Sequence, residues 1–356
     1  MTKYQALADA LRSAIQGGVY QPNDALPTEQ ALCGQYQVSR ETVRQALGLL
    51  EKERLITRRQ GSGTYVRDNS RLVRQELRTI AVVTTYISDY IFPAVLREME
   101  SVLSENRATP MLFATQNEVA NERNILGTLL KLDKLDGVLV EGTKTGLPNP
   151  NLSLYRALIA RGVPLVFFHG NYAELSDIPC VLDDNYNGGQ MLVEHLIQNG
   201  RRRIAGIFKS DDIQGHQRYS GYADALNSHN LPLKDEHVLW YSTEHKDHLF
   251  RRNAPQEPVL RALEGCDAVV CYNDEVASSL VSQLPRIGVD IPHQLSVVSF
   301  DNSPFSEMST PRITSLSHMS HNVGRLAAEL LFRILRNEPH NVLELAPWTL
   351  VRRESG

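Results

Sequence analysis

Apolar residues recur along the chain with two different periods, and the change from one to the other divides it. Through KYQALADALRSAIQGG, PTEQALCGQYQ and VSRETVRQALGLLEKE the spacing is that of amphipathic helices, the first ending at Gly17-Gly18. Thr28 and Ser39 stand where the N-caps of the second and third helices belong, and Glu29 favours the positive end of the second. In the third helix Val43, Ala46, Leu47 and Leu50 form a buried stripe, so the exposed face of its first turn carries Arg40, Glu41 and Arg44. LITRR and TYVR then read as two short strands joined through QGSG, whose Gly61 and Gly63 permit positive φ. Residues 68–78 lack an apolar face and read as a linker.

Beyond the linker, strand-like runs alternate with helical ones: TIAVVTT, TPMLFAT, DGVLVEG, VPLVFFHG, RIAGIFK, HVLWYS, DAVVCYND and LSVVSFDN. Strands that are nearly all apolar are buried on both faces, and βα alternation predicts parallel sheets covered by helices. The expected fold is therefore an α/β multidomain chain. A three-helix head with a winged hairpin spans residues 1–67, a linker 68–78, and a two-lobed body with parallel sheets 79–356.

Composition is ordinary for a chain with real cores: 356 residues, 42% apolar and 22% charged. No apolar stretch suits a signal peptide or a membrane span, so the expected location is the cytoplasm. Cys33, Cys180, Cys266 and Cys271 are scattered and read as reduced packing residues. Charge changes the picture more. Residues 1–78 hold 12 Lys/Arg against 8 Asp/Glu, whereas the remainder holds 25 against 33, which suggests a polyanion-binding head on an acidic body.

That excess alone is as compatible with chance as with function, and a helix of this kind alone is more often a packing helix with solvated charges. Two arginines four residues apart, a cap before them and a basic wing after them favour a helix-turn-helix whose second helix meets base edges in the major groove. The GxG of the wing has neither a third glycine nor a following helix, which argues against a dinucleotide loop.

LPTEQALCGQYQVSRETVRQALGLLEKERLITRRQGSGTYV resembles the winged-helix head of GntR-type bacterial transcription regulators. The resemblance implies that Arg40 and Arg44 contact the operator and that Gln60 and Gly61 lie in a wing entering the minor groove. Glu29, Thr42 and Thr64 would assist at bases or phosphates, and Lys3, Ser39, Arg59 and Gly63 complete the implied DNA-facing set. Glu41 can either accept from cytosine N4 or merely stabilise the helix start.

In open α/β sheets ligands bind beyond the carboxyl ends of the strands. The residues there are Tyr86, Ser88, Asp89 and Tyr90, then Glu141, His169, Asp183 with Asp184, Asn273 with Asp274, and Asp301. Carboxylates that accept hydroxyl hydrogens, aromatic rings that cover C–H faces and the donor fork of Arg218 suit a sugar. Strand-end acids such as Asp183 or Asp274 can equally cap the following helices. Phe92, in TTYISDYIFP, reads as either a stacking ring or core.

DGVLVEG, LDDNYNGGQMLVEHLIQNGRRRIAGI, QRYSGY, VVCYNDEVA and GVDIPHQLSVVSFDN resemble the effector domain of LacI/GalR-type repressors, which shares the fold of periplasmic sugar-binding proteins. By that resemblance Arg218, Asn273, Asp274 and Asp301 belong to the ligand cleft. The expected effector set is Tyr90, Phe92, Glu141, His169, Asp184, Arg218, Asn273, Asp274 and Asp301. A GntR-type head on a LacI-type body resembles the arabinose-operon repressors of Gram-positive bacteria, which implies L-arabinose as effector.

The expected function is a homodimeric repressor that reads a palindromic operator and leaves it on binding sugar, with no cofactor and no metal. Rival classes are a sugar-acting enzyme and a sugar-transport receptor. No Walker loop, GxSxG elbow or HExxH supports catalysis. The pairs His245/His248 and His318/His321 read as solvated or capping histidines rather than metal ligands.

Overall fold

Backbone contacts divide the chain into Met1–Leu77 and Arg78–Gly356. The computed structural model describes residues 3–16, 18–21, 23–53, 55–59, 63–67, 77–250, 256–318 and 323–356; the side chains of Gln16 and Arg59 lie outside that description.

The first unit comprises α1 (Lys3–Gln16), α2 (Glu29–Tyr36), α3 (Arg40–Lys52), β1 (Ile56–Arg59) and β2 (Gly63–Val66). Its helices start where side chains satisfy free backbone donors: Thr28 accepts from the Ala31 N–H and Ser39 from the Thr42 N–H, both at 3.2 Å. Leu7, Leu11, Leu32, Val43, Ala46, Leu47 and Leu50 pack into one core with Leu26, Ile56 and Val66. The antiparallel β1–β2 pair sets Ile56 opposite Val66, which fastens the hairpin to the helices.

The first half of the second unit runs β3 (Arg78–Thr84), α4 (Phe92–Glu105), β4 (Ala108–Ala114), α5 (Val119–Leu129), β5 (Gly137–Val140), α6 (Leu152–Ala160), β6 (Leu165–Phe168) and β7 (Cys180–Asp183). There follow α7 (Asn185–Gln198), β8 (Ile204–Lys209), α8 (Ile213–Ser228), β9 (Val238–Tyr241), α9 (Thr243–Phe250), α10 (Glu257–Leu263) and β10 (Ala268–Cys271). The chain closes with α11 (Asp274–Gln283), β11 (Ser296–Phe300), α12 (Pro304–Met308), β12 (Thr314–Ser317), α13 (Val323–Leu335), β13 (Leu343–Ala346) and β14 (Thr349–Val351).

Two six-stranded sheets result, in the orders β13-β7-β6-β5-β3-β4 and β14-β12-β11-β10-β8-β9. The first is parallel throughout, and the second is parallel except where β14 meets β12. Each sheet has a separate core on each face, as its continuous apolar strands require. The chain changes lobe after β7, after β12 and after β13, so the carboxyl ends of both sheets open toward one cleft.

Candidate effector cleft and nucleic-acid face

On the first unit, α3 presents Arg40 and Arg44 with side chains 70% and 54% exposed. Glu29 at the start of α2 accepts from the Nε of both, at 3.1 and 3.2 Å, so one carboxylate orients both arginines. The hydrogen bond from Arg40 foremost, and that from Arg44, hold the Glu29 carboxyl below its usual range. Glu41 and Lys3 are exposed, Thr42 exchanges a 2.8 Å hydrogen bond with Ser39, and Thr64 is half-buried on the hairpin. Gly63 has φ 123°, a conformation that suits only glycine. The Arg59 side chain, Gln60 and Gly61 lie outside the described residues.

In the second unit a cavity of about 670 Å3 lies between the sheets, within the usual range of small-molecule sites. Strand ends supply its walls: Thr85 after β3, Glu141 after β5, His169 after β6, Lys209 closing β8, Tyr272 after β10 and Asp301 after β11. Tyr90, His169 and Asp301 hold positive φ of 54°, 60° and 95°, backbone strain of the kind that gathers at binding sites.

Arg218 is buried at the centre. Its Nε donates to Asn185 Oδ1 at 2.8 Å, Nη2 to Gln214 Oε1 at 2.9 Å and to Asp301 Oδ1 at 3.4 Å, and Nη1 to the Tyr272 carbonyl. Its guanidinium lies 4.2 Å from the Phe300 ring centroid. Burial opposes its charge, but the carboxylates of Asp301 and Asp183 outweigh it and raise its pKa. The helix carrying Arg218 sits close because α7 and α8 meet at glycines. A methyl on Gly221 would strike the Tyr186 carbonyl, and one on Gly189 the Arg218 carbonyl.

The facing wall is built differently. Glu141 Oε2 accepts from the Thr85 N–H at 2.7 Å, Thr85 Oγ1 at 2.5 Å and Thr84 Oγ1 at 3.1 Å, while Oε1 meets His169 Nδ1 at 3.3 Å. Burial disfavours charge on His169, yet the bond to Glu141 and the charges of Asp183, Glu141 and Asp301 push its pKa up to about 9. Behind this wall the buried Glu122 on α5 accepts from Tyr155 Oη at 2.7 Å, Tyr172 Oη at 2.8 Å, Asn149 Nδ2 at 2.7 Å, Asn151 Nδ2 at 2.8 Å and the Thr143 N–H at 3.3 Å. It thereby fixes the loop that carries Lys144 and Thr145 into the cleft.

Side chains also cross the cleft. Tyr90 Oη donates to Asp301 Oδ2 at 2.6 Å and accepts from the Asp274 N–H at 3.1 Å. Asn117 Nδ2 donates to Thr243 Oγ1 at 2.6 Å, Thr145 Oγ1 to Asp212 Oδ1 at 3.2 Å, and Lys144 pairs with Glu244.

Of the expected effector set, Tyr90, Phe92, Glu141, His169, Arg218, Asn273 and Asp301 line the cavity. Phe92 is both wall and core, buried with its ring 6.4 Å from that of His169. Asn273 also caps α11, accepting from the Val276 N–H at 3.1 Å. Asp184 and Asp274 do not line the cavity. Asp184 caps α7 through the Asn187 N–H. Asp274 sits behind the wall, accepting from Ser299 Oγ, from Ser315 Oγ at 2.7 Å, and from the Ser303 N–H and Oγ at 2.6 and 2.9 Å. Burial and Asp301 push its pKa up to about 6.

His318 is a second correction. It is neither solvated nor a cap, since its Nε2 lies 2.6 Å from buried Asp183 Oδ1. Burial alone would raise the Asp183 pKa, but the charge of His318 holds it at about 2. His321 lies outside the described residues. Sequence reasoning missed Lys209, Asp212, Gln214, Lys246, Tyr272 and Glu275, all lining the cavity. The strand-end rule, applied to the end of RIAGIFK and the residues after it, selects the first two. Among the described residues no group of three or more His, Cys, Asp or Glu could hold a metal ion, and no helix is long and apolar enough to cross a membrane.

Comparison with known proteins adds to this geometry. Residues 3–66 match the bacterial regulatory proteins of the gntR family, and residues 193–356 match the periplasmic binding protein-like domain. The chain is 38% identical over 340 residues to the arabinose metabolism transcriptional repressor of Geobacillus stearothermophilus, covering 94% of this chain and 92% of that one. It is 34% identical over 345 residues to the protein of the same description in Halalkalibacterium halodurans, covering 95% and 90%. Among solved structures, the transcriptional regulator CelR in complex with cellobiose is similar at a TM-score of 0.68 and 24% identity, covering 90% of this chain and 92% of that one. A periplasmic binding protein/LacI transcriptional regulator from Alkaliphilus metalliredigens, complexed with D-xylulofuranose, is similar at a TM-score of 0.65 and 21% identity, covering 78% and 98%. These structural likenesses speak for the fold.

Proposed function

Since the chain belongs to the family of arabinose metabolism transcriptional repressors, DNA-binding and non-enzymatic, we propose that it acts in the cytoplasm as a homodimer on a palindromic operator of arabinose-utilisation genes and is released by L-arabinose. One observation carries the effector reading. Every cation lining the cleft among the described residues already has a carboxylate: Lys209 has Asp212 at 3.7 Å, Lys246 has Glu275 at 3.0 Å, Arg218 has Asp301 at 3.4 Å, His169 has Glu141 at 3.3 Å, and Lys144 has Glu244. A phosphate or carboxylate ligand would meet the repulsion of those acids. A neutral polyol donates its hydroxyls to them and leaves the pairs intact. The rings of Tyr86, Phe92 and Phe305 offer apolar faces for its C–H edges.

The DNA reading rests on the exposed Arg40 and Arg44 at the start of α3, each head taking one half-site of a two-fold operator. Sugar releases DNA only if it binds two arrangements of the lobes unequally, since equal affinity shifts nothing. The test is a gel-shift titration with an operator fragment in the presence of L-arabinose, D-xylose, D-ribose or D-galactose. L-arabinose should weaken operator binding by roughly fivefold to a hundredfold, the usual size of an allosteric coupling, and the other sugars far less. Unchanged operator affinity at saturating L-arabinose would overturn the effector assignment.

A further inference from the structure

Three passages of chain join the lobes: Asp183–Asn185 between β7 and α7, His318 onward between β12 and α13, and Pro347–Trp348 between β13 and β14. Backbone pairing ties the first passage to the third, with the Asp184 N–H donating to the Ala346 carbonyl at 3.0 Å. It also ties the second to the third, with Ser317 opposite Thr349. Side chains close the remaining side of this triangle. His318 Nε2 faces Asp183 Oδ1 at 2.6 Å, its Nδ1 faces the Pro347 carbonyl oxygen at 3.2 Å, and its ring stacks on Trp348 with centroids 3.7 Å apart and planes 25° apart. Asp183 and Trp348 are 4% and 6% exposed, so the clasp is dry on two of its three sides.

We propose that His318 is the positioning residue of the hinge: by clasping Asp183, Pro347 and Trp348 it holds all three passages at one setting and determines how far sugar binding can move the lobes. The clasp is contiguous with the cleft. Trp348 meets the Phe300 ring edge-on at 5.7 Å and lies 5.7 Å from the Arg218 guanidinium, and the charges of His169 and Arg218 both act on Asp183. A ligand that engages Arg218 is therefore one contact from the hinge. Turning one lobe against the other must either carry His318 along or leave the buried Asp183 carboxylate without that contact. The hinge then has discrete settings, as switching elements do.

The proposal rests on the body being a sugar-responsive module, so its test has one arm that needs no sugar. In His318→Gln, Asp183→Asn and the double variant, hydrogen exchange of the full-length protein is compared over residues 181–187 and 345–350, without ligand. Exchange should quicken about tenfold or more in each single variant and no further in the double, because the two residues form one unit. Residues 3–66 should be unaffected. With sugar, calorimetry should still reach saturation, while the ratio of operator affinities without and with L-arabinose falls at least threefold. A purely structural role would lower the melting temperature and leave that ratio alone. If His318→Gln fails to fold, Trp348→Phe, which shortens the stack and spares the contact with Asp183, should show a smaller shift in the same direction. Unchanged hinge exchange, or additive effects of the two replacements, overturns the proposal. A wild-type protein that ignores L-arabinose overturns the effector reading alone, since the ligand-free exchange still decides the hinge.

Discussion

Tyr90 Oη reaches across the cleft to Asp301 Oδ2 at 2.6 Å and accepts from the Asp274 N–H at 3.1 Å, so one phenol from the first lobe satisfies two groups of the second. Burial and the two neighbouring carboxylates raise its pKa far above that of an ordinary tyrosine, which keeps it a donor at any physiological pH. Tyr90→Phe removes a hydrogen bond to a charged group, an interaction of about 1.5–3 kcal/mol. The expected outcome in calorimetry is L-arabinose affinity weakened about tenfold or more, and in thermal melting a fall of roughly 3–12 °C. Wild-type affinity in this variant would mean that other bridges hold the lobes together.

At the head, Arg44→Ala should cost about 1–3 kcal/mol on the operator and almost nothing on an operator altered at the base pair Arg44 reads. Equal losses on operator and random DNA would make it a phosphate contact. Glu29→Gln, which frees Arg40 and Arg44 from their shared carboxylate, should raise affinity for random DNA and reduce discrimination. Competition titration against sonicated DNA reads both effects.

Much of this was legible in the sequence where the deciding interactions are local. Thr28, Ser39 and the stripe Val43, Ala46, Leu47 and Leu50 act within a few residues, and their helices begin and pack as the pattern predicts. The long apolar strands likewise show themselves. The strands β12, β13 and β14 do not. Thr314, Ser315 and Ser317 are buried polar residues, Thr314 and Ser315 held by Arg353, Ser355 and Asp274, whereas Leu343 and Leu345 are apolar but exposed on an edge. The strand-end rule finds Glu141, His169 and Asp301, but it cannot separate them from Asp184, because a ligand-binding acid and a helix cap occupy the same place before a helix. The pairing of Tyr90 with Asp301 spans 211 residues, and no local pattern encodes it.

Glu122→Gln puts an amide among five donors to a buried carboxylate, so at least one donor loses its acceptor. A cost of about 3 kcal/mol or more is expected, as for other broken buried networks. Thermal melting should show a fall of roughly 6–12 °C for a body of this size. L-arabinose affinity should fall with it, since the Thr143–Thr145 loop loosens. A variant that melts with the wild type would show the network to be dispensable.

Three buried groups give the pH dependence of stability distinct windows. Asp274 has a folded pKa raised from 3.8 to about 6, so the folded state takes up its proton first and stability grows as pH falls through that window. Asp183, lowered to about 2, contributes fully above 3.8 and loses its contribution as pH falls toward 2. His169, raised from 6.5 to about 9, contributes fully below 6.5 and loses its contribution as pH rises through about 9. From these groups the melting temperature should peak near pH 4 and decline toward pH 9. His169→Gln should flatten the alkaline decline and Asp274→Asn the rise below pH 6; melts across that range check both.

The glycine seam between α7 and α8 bears on how this protein can change. Where Gly189 and Gly221 let two backbones touch, the Arg218 wall is cast in place, and almost any new side chain there displaces the guanidinium along with the helix. On the opposite wall Tyr86, Ser88 and Asp89 stand on a loop, Ser88 and Asp89 exposed, with no backbone pressed against them as at the seam. Selection for a different sugar, in nature or in the laboratory, has one mouldable side to work on, and new specificities should arise from the first lobe while the second stays as it is.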